Sequence, residues 1–272
     1  MMPTPVDLLI EARWIIPVEP DDTTLEHHAI AVERGKIVAI LPLADARARF
    51  TAAKTVSLPE HILIPGLVNL HCHAAMTLMR GLADDLPLMR WLQEAIWPTE
   101  ARHASHAFVR DGSLLAGAEM LRGGITTCND MYFFPEATAE AFDRLGLRAV
   151  LGITLLEFPS QYAADADDYL RKGLATHDAW RDHPLIRFAL APHAPYTVSN
   201  TSFERIGDLA DELELPIHIH LHETAGEIAD SLRDFSQRPI TRLESLGILG
   251  PNLIVVHAVH LAPEDIERLA LH

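Results

Sequence analysis

Two histidines at the end of an apolar run are the side chains in this sequence best placed to do chemistry together. The run occupies residues 63–73 and ends in His71 and His73, with Cys72 between them. In a β-strand, alternate side chains point to the same face, so the two imidazoles point the same way from Cα atoms about 6.6 Å apart. Both rings then reach one ion at the zinc–nitrogen distance of ~2.0–2.1 Å. The alternative is a pair of ordinary histidines, so the motif needs support from elsewhere in the chain.

A second histidine-rich run supplies that support. Residues 215–223 carry His218, His220 and His222 at alternate positions. Alternation places all three on one face of a strand, and it leaves open which of them binds metal. Glu223 follows directly and is suited to general acid–base chemistry beside a metal-activated water. The competing interpretation of Glu223 is an acid at the N-terminus of the next helix.

Four more candidate residues lie at strand ends or in connections. His193 is held between two prolines in residues 191–196, which suits either a positioned contact or a rigid turn without chemistry. His257 and His260 end another apolar run; one of them could polarise a water while the other is structural. Glu100 lies in the connection that follows residues 63–73, and its local sequence alone indicates a surface acid.

The spacing of apolar runs predicts a parallel α/β architecture. Six runs of strand length alternate with helical patterns, and each ends in a histidine, aspartate or glutamate: residues 63–73, 124–130, 147–157, 185–193, 215–223 and 253–260. Active sites of (β/α)8 TIM-like barrels lie at the carboxyl ends of the strands, whereas a doubly wound sheet gathers ligands near one switch point. We therefore predict a (β/α)8 TIM-like barrel. Because a closed barrel needs eight strands, we expect the barrel to be truncated after about six.

The first part of the chain has a different pattern of predicted secondary structure. Residues 1–58 read as short strands joined by turns, with a hairpin at Gly35 where a positive φ is favourable. We predict a small N-terminal β-sandwich unit over residues 1–58, followed by the barrel over residues 59–272.

Composition excludes several classes of partner. The 272-residue chain has a net charge of -16, which disfavours nucleic acid and anionic membrane surfaces. The sequence has no apolar stretch long enough for a transmembrane helix and no signal-peptide pattern. Its two cysteines cannot form a disulfide framework, so we expect a cytoplasmic protein.

The motifs together resemble the amidohydrolase superfamily, and most closely its 5-methylthioadenosine/S-adenosylhomocysteine deaminase branch. The resemblance runs along the whole chain and is carried by residues 65–77, 80–86, 91–92, 97–100, 130–133, 192–196 and 220–224. It implies a barrel of the metal-dependent hydrolase type, in which His71, His73 and His220 bind one divalent metal ion per subunit. The expected metal is zinc. The fourth ligand of the family, an aspartate ending strand eight, has no counterpart in the 272 residues.

The resemblance also implies the reaction and the remaining roles. Glu100 and His193 would contact a purine nucleoside, Glu223 would contact and protonate its ring nitrogen, and His257 would hold the attacking water. The implied activity is hydrolytic deamination of the adenine ring of 5′-methylthioadenosine or S-adenosylhomocysteine, releasing ammonia, in an enzyme able to form homo-oligomers.

The alternatives are another amidohydrolase acting on guanine, a triazine or a related heterocycle, and an inactive truncated metal-binding fragment. The loop at residues 158–168 is acidic and lacks arginine, which favours a neutral 5′ thioether over a carboxylate-bearing tail.

Overall fold

The computed structural model describes residues 2–272, and the chain forms two compact units, the first of which ends at Gly66. The elements of the first unit are strands β1 (Thr4–Ile15), β2 (Leu25–Glu33) and β3 (Lys36–Pro42), helix α1 (Leu43–Arg49) and strand β4 (Phe50–Leu63). They form one sheet in the order β3-β2-β1-β4. The β2–β3 turn contains Gly35 at φ +74°, as the hairpin prediction requires. Helix α1 returns the chain so that β4 runs parallel to β1.

Two features of this unit add detail to the sequence prediction. The predicted boundary after residue 58 falls inside β4, because that strand stays paired with β1 as far as Leu63. Within residues 2–66 the predicted β unit consists of one four-stranded sheet. Its apolar face packs on α1 around Val6, Leu9, Ala46 and Phe50.

The second unit, Leu67–His272, is built on a six-stranded parallel sheet. Its strands are β5 (Leu67–Cys72), β6 (Ile125–Asp130), β7 (Arg148–Leu155), β8 (Ile186–Pro192), β9 (Ile217–Leu221) and β10 (Leu253–His257). Each lies inside one of the six predicted runs. The strands neighbour one another strictly in chain order, from β5 to β10. This order has no reversal, so it is the winding of a barrel and not that of a doubly wound sheet.

Helices cover the outside of this sheet. After β5 come a 3-10 segment (Ala74–Met79) and a helical stretch made of α2 (Leu88–Trp91), a π turn (Leu92–Ile96) and α3 (Trp97–His103). The later helices are α4 (His106–Arg122), α5 (Pro135–Leu145), α6 (Ala166–Trp180), α7 (Asn200–Leu213), α8 (Ala225–Phe235), α9 (Pro239–Ser245) and α10 (Pro263–Leu271). No helix in residues 2–272 combines the length and the apolar character needed to cross a membrane.

Burial on both faces explains why the central strands read as continuous apolar runs. Leu151 and Ile153 of β7 and Leu190 of β8 are at most 1% exposed, within one core formed by strands and helices. Several helices begin at a side-chain cap; Ser199 and Thr224, for example, each accept a hydrogen bond from a backbone N–H of the first turn of α7 and α8. These caps fix the points where the chain leaves β8 and β9, and therefore the loops at the carboxyl edge of the sheet.

Gly112 allows α4 to approach the segment that follows the His71/His73 strand. A Cβ built on Gly112 would lie 2.5 Å from the backbone oxygen of Ala75. Because backbone cannot move aside as a flexible side chain does, we expect Gly112→Ala to lower the free energy of unfolding by about 1–3 kcal/mol. Gly207→Ala in α7 is the matched control, since its Cβ would meet only the tip of Ile248 at 3.4 Å; there the higher helix propensity of alanine is expected to stabilise the helix. Urea unfolding of both variants tests this, and equal effects would contradict it.

Candidate functional site

Three histidine side chains converge at the carboxyl edge of the sheet. Nε2 of His220, on β9, lies 3.1 Å from Nε2 of His71 and 3.3 Å from Nε2 of His73. His71 lies in β5 and His73 follows it directly, so two strands far apart in sequence deliver the three rings. Nitrogens bound tetrahedrally at the zinc distance of ~2.0–2.1 Å lie about 3.3–3.4 Å apart. The spacing of these nitrogens therefore fits a shared metal ion.

The hydrogen bonds behind the rings support the same fit. Nδ1 of His73 donates to the carbonyl oxygen of Met131 at 2.6 Å, and Nδ1 of His220 donates to that of His193 at 2.8 Å. Each Nδ1 thus carries the proton of a neutral ring, which leaves the lone pair on the facing Nε2. Lone pairs this close repel one another unless a cation accepts them.

Burial keeps these imidazoles neutral. It lowers the pKa of His71 to about 3, with the neighbouring histidines adding to the effect, and it also lowers the pKa values of His73 and His220. A proton shared between the rings at neutral pH therefore does not account for their approach. The donor set of three neutral imidazoles fits a divalent cation of the zinc type.

His257 borders the same cluster from β10. Its ring centroid lies 5.3 Å from that of His220, and ligand nitrogens of His71, His220 and His257 all lie within 4.8 Å of one another. His257 has φ +73° and Ala258 has φ +50°, a conformation that is costly for residues other than glycine. The amide of Ala258 donates to the Leu221 carbonyl at 3.0 Å, which holds the turn in place. The strained backbone turns His257 at the strand end, whereas His260 offers its backbone carbonyl to Nδ1 of His222.

Glu223 faces the cluster from the end of β9. Its Oε1 lies 3.6 Å from Nε2 of His257. Burial raises the pKa of the Glu223 carboxyl, while His257 acts in the opposite direction. The backbone N–H groups of His222 and Glu223 donate to the two carboxylate oxygens of Glu227, at 2.9 and 2.8 Å. Glu227 thus fixes the backbone that carries Glu223 to the edge of the site.

A cavity of about 80 Å³ adjoins the histidines. Glu100 lines it together with His73 and His193, and the Tyr132 hydroxyl donates to Oε1 of Glu100 at 2.7 Å. Glu100 therefore lines the same cavity as His73 and is not the surface acid that its local sequence suggests. His193 is oriented by a 3.1 Å hydrogen bond between its Nδ1 and the hydroxyl of Thr197.

Glu100 gives the fold a specific pH dependence. Burial raises the pKa of Glu100 to about 7, although the hydrogen bond from Tyr132 lowers it. The unfolded chain loses this proton near pH ~4.3 and the folded chain retains it up to about pH 7, so stability falls as pH rises between these values. Glu100→Gln stays neutral and keeps the acceptor for Tyr132. We expect it to exceed the parent in stability by on the order of 1–3 kcal/mol at pH 8 and to match it at pH 4.

Thermal unfolding across this pH range measures the difference. Glu204→Gln, at an exposed position of α7, is the control and should leave the pH profile unchanged. Parallel profiles for the parent and Glu100→Gln would contradict the buried, protonated state of Glu100.

Sequence reasoning left several contributors to the site unassigned. Tyr132 lies within residues 130–133, to which the sequence alone gives no role, and no local pattern predicts that it reaches Glu100. The position of Glu227 at a helix N-terminus could have been predicted, because Thr224 and Glu227 have the spacing of a helix capping box. Arg242 is buried and donates to the carbonyl oxygens of Pro195 and Val198, in the loop after His193. Nothing around Arg242 in the sequence indicates these contacts.

Comparison with known proteins gives the context of this site. The amidohydrolase family profile matches residues 62–272. A protein of Saccharophagus degradans, named 5-methylthioadenosine/S-adenosylhomocysteine deaminase, is 47% identical over 99% of this chain and 60% of its own length. A protein of the same name from Teredinibacter turnerae is 46% identical over 98% of this chain and 60% of its own length. The chain thus spans about 60% of the length of these curated relatives.

Solved structures agree with the fold. An adenosine deaminase from Xanthomonas campestris with bound zinc has a TM-score of 0.97 and 52% identity, covering 99% of this chain and 61% of that one. Atrazine chlorohydrolase from Arthrobacter aurescens, complexed with zinc, has a TM-score of 0.86 at 23% identity over 97% of this chain and 63% of its own, a likeness of fold alone. The predicted fold class is confirmed by these matches. With its family profile, its relatives and its fold in agreement, this chain belongs to the amidohydrolase family.

Proposed function

We propose that this chain carries the metal centre and most of the substrate site of a zinc-dependent deaminase acting on 5′-methylthioadenosine or S-adenosylhomocysteine. The observation that carries the proposal is the convergence of three neutral imidazoles, with the Glu223 carboxyl 3.6 Å from the bordering His257. The printed names of the relatives, a 5-methylthioadenosine/S-adenosylhomocysteine deaminase and a zinc-bound adenosine deaminase, support the same assignment. The reaction converts the 6-amino group of the adenine ring to a 6-oxo group with release of ammonia.

His71, His73 and His220 would hold the metal ion. When bound, a divalent zinc ion supplies the Lewis acidity that lowers the pKa of water toward ~7. The neutral state of the three rings, maintained by burial, keeps their Nε2 lone pairs available for binding at physiological pH.

Glu223 is the proposed proton carrier. Because its pKa is raised by burial, a larger fraction of the carboxyl is protonated near neutral pH than for an exposed glutamate. It delivers that proton to N1 of the purine as the water oxygen adds to C6. The C6–N bond then breaks: one of the two water protons joins the amino group, which leaves as ammonia, and the other restores the proton of Glu223. His257, 3.6 Å from Glu223, orients the attacking water.

The substrate would occupy the cavities beside the histidines. Glu100 and His193 line the smaller one and offer polar contacts to the nucleoside. An adjoining cavity of about 450 Å³ is lined by Trp97, Phe133 and Phe158, among other residues. The lining of this larger cavity, all of it within residues 97–161, includes no lysine or arginine. A neutral, apolar 5′ thioether suits these walls better than a carboxylate-bearing tail.

A substrate panel tests the proposal. Zinc-loaded protein is incubated with 5′-methylthioadenosine, S-adenosylhomocysteine, adenosine, guanine and a chlorotriazine, and release of ammonia or chloride is followed. We expect turnover of the 5′-substituted adenosines, with the thioether preferred. Turnover of guanine or the triazine alone would assign a different branch of the family.

The proposal also covers the cellular compartment and the oligomeric state of the enzyme. Cys72 and Cys128 are both free thiols, which supports a reducing compartment such as the cytoplasm. We propose that the enzyme forms homo-oligomers, which size-exclusion chromatography with light scattering tests directly.

A further inference from the structure

His218 lies directly behind one of the proposed metal ligands. It belongs to β9, two residues before His220, and its side chain has no exposed surface. Its Nε2 lies 3.0 Å from Nδ1 of His71, on the opposite side of that ring from the shared Nε2 cluster. From the alternation of histidines alone, His218 was one possible metal ligand. In the structure it instead contacts Nδ1 of the ligand His71.

The tautomers of the two rings follow from this contact. His71 presents Nε2 to the cluster, so a neutral His71 that binds a cation carries its proton on Nδ1. Nδ1 then donates to Nε2 of His218, which must be the unprotonated nitrogen of that ring. His73 and His220 make the equivalent donation to backbone carbonyls. His218 therefore gives His71 the outer partner that the other two ligands obtain from the main chain.

Fold stability does not account for a histidine at this position. If Nε2 of His218 accepts a proton, Nδ1 carries one, and Nδ1 is buried without a hydrogen-bond partner among the residues that the structure describes. The neighbouring residues of β9, Ile217 and Ile219, are apolar and fully packed. A buried N–H group without a partner costs free energy that an apolar side chain would avoid. The cost is explained if the residue serves His71.

We propose that His218 is a positioning residue for the metal ligand His71: by accepting the Nδ1 proton, it selects the tautomer and ring orientation that metal binding requires. The inference rests on the proposed metal centre. Outer partners of this kind typically change metal affinity 10–100-fold when removed.

Two substitutions at His218 separate hydrogen bonding from packing. His218→Met fills a similar volume without the acceptor. His218→Gln can place its side-chain oxygen near the position of Nε2 and so keeps it. We expect the zinc affinity of His218→Met, measured by competition with a chromophoric chelator, to fall about 10–100-fold, and that of His218→Gln to stay close to the parent value. The melting temperature of metal-free His218→Met should equal or exceed that of the metal-free parent.

The outcomes distinguish this inference from the metal centre itself. No zinc binding by the unaltered chain would overturn the centre and the role of His218 together. Zinc binding by the parent with equal affinity in His218→Met would overturn only the role of His218. Equal loss of affinity in the Met and Gln variants, with lowered melting temperatures in both, would show that His218 matters for packing and would also overturn the proposed role.

Discussion

Glu223→Gln is expected to lower the rate of ammonia release by a factor on the order of 10²–10⁴, the usual contribution of a general acid–base group. Glutamine keeps the size and polarity of the side chain but cannot deliver a proton to the purine nitrogen. The carboxylate of Glu227 holds the backbone N–H of residue 223, so the substituted side chain should stay in place. Initial rates on 5′-methylthioadenosine under saturating zinc measure the effect.

Two controls accompany this variant. Glu204→Gln makes the same chemical change at an exposed position of α7 and should retain the parent rate. The zinc content of Glu223→Gln should equal that of the parent, which separates a lost proton carrier from a damaged metal centre. A Glu223→Gln rate within a few fold of the parent, at full zinc content, would remove Glu223 from the mechanism.

His220→Ala is expected to have the largest effect of any single substitution. Nε2 of His220 faces Nε2 of both His71 and His73. Removal of the His220 ring therefore leaves only two of the three proposed metal ligands. We expect zinc affinity to fall by more than the 10–100-fold typical of an outer partner, and deamination to fall below detection. The activity is lost because water without a bound metal keeps a pKa near ~15.7 instead of ~7.

His260→Ala provides the matched control, because it removes another histidine at the same edge of the sheet. The contacts that His260 makes to His222 use its backbone N–H and carbonyl, which the substitution retains. Zinc content and activity should therefore remain at the parent level. Metal analysis after dialysis measures both variants, and a His220→Ala protein that retains one zinc per chain would contradict the proposed ligand set.

The sequence allowed prediction of the sheet more completely than of the site. Every predicted strand of the second unit contains an observed one. The central strands β7 and β8 are buried on both faces and therefore read as continuous apolar runs. The convergence of β5 and β9 followed from the same pattern, since the carboxyl ends of parallel strands meet at one edge. The small unit was less predictable: β4 continues beyond residue 58 through Pro59, Glu60 and His61, which are exposed and lack the apolar alternation of a strand.

The roles of the three histidines in residues 215–223 could not be separated by alternation. The alternation holds for His218 and His220, which lie within the strand. It fails at His222, because β9 ends at Leu221 and His222 adopts φ +57°. The ring of His222 therefore turns away, placing Nδ1 near the His260 carbonyl at 3.1 Å. Where a strand ends depends on its neighbours in the sheet, which the local sequence does not encode.

The most direct test of the metal centre is an anomalous-scattering crystal structure of the zinc-loaded protein, collected on both sides of the zinc absorption edge. We expect one peak per chain, with the ion about 2.0–2.1 Å from Nε2 of His71, His73 and His220. A crystal without a zinc peak at this edge of the sheet, or with the ion bound by other side chains, would contradict the account.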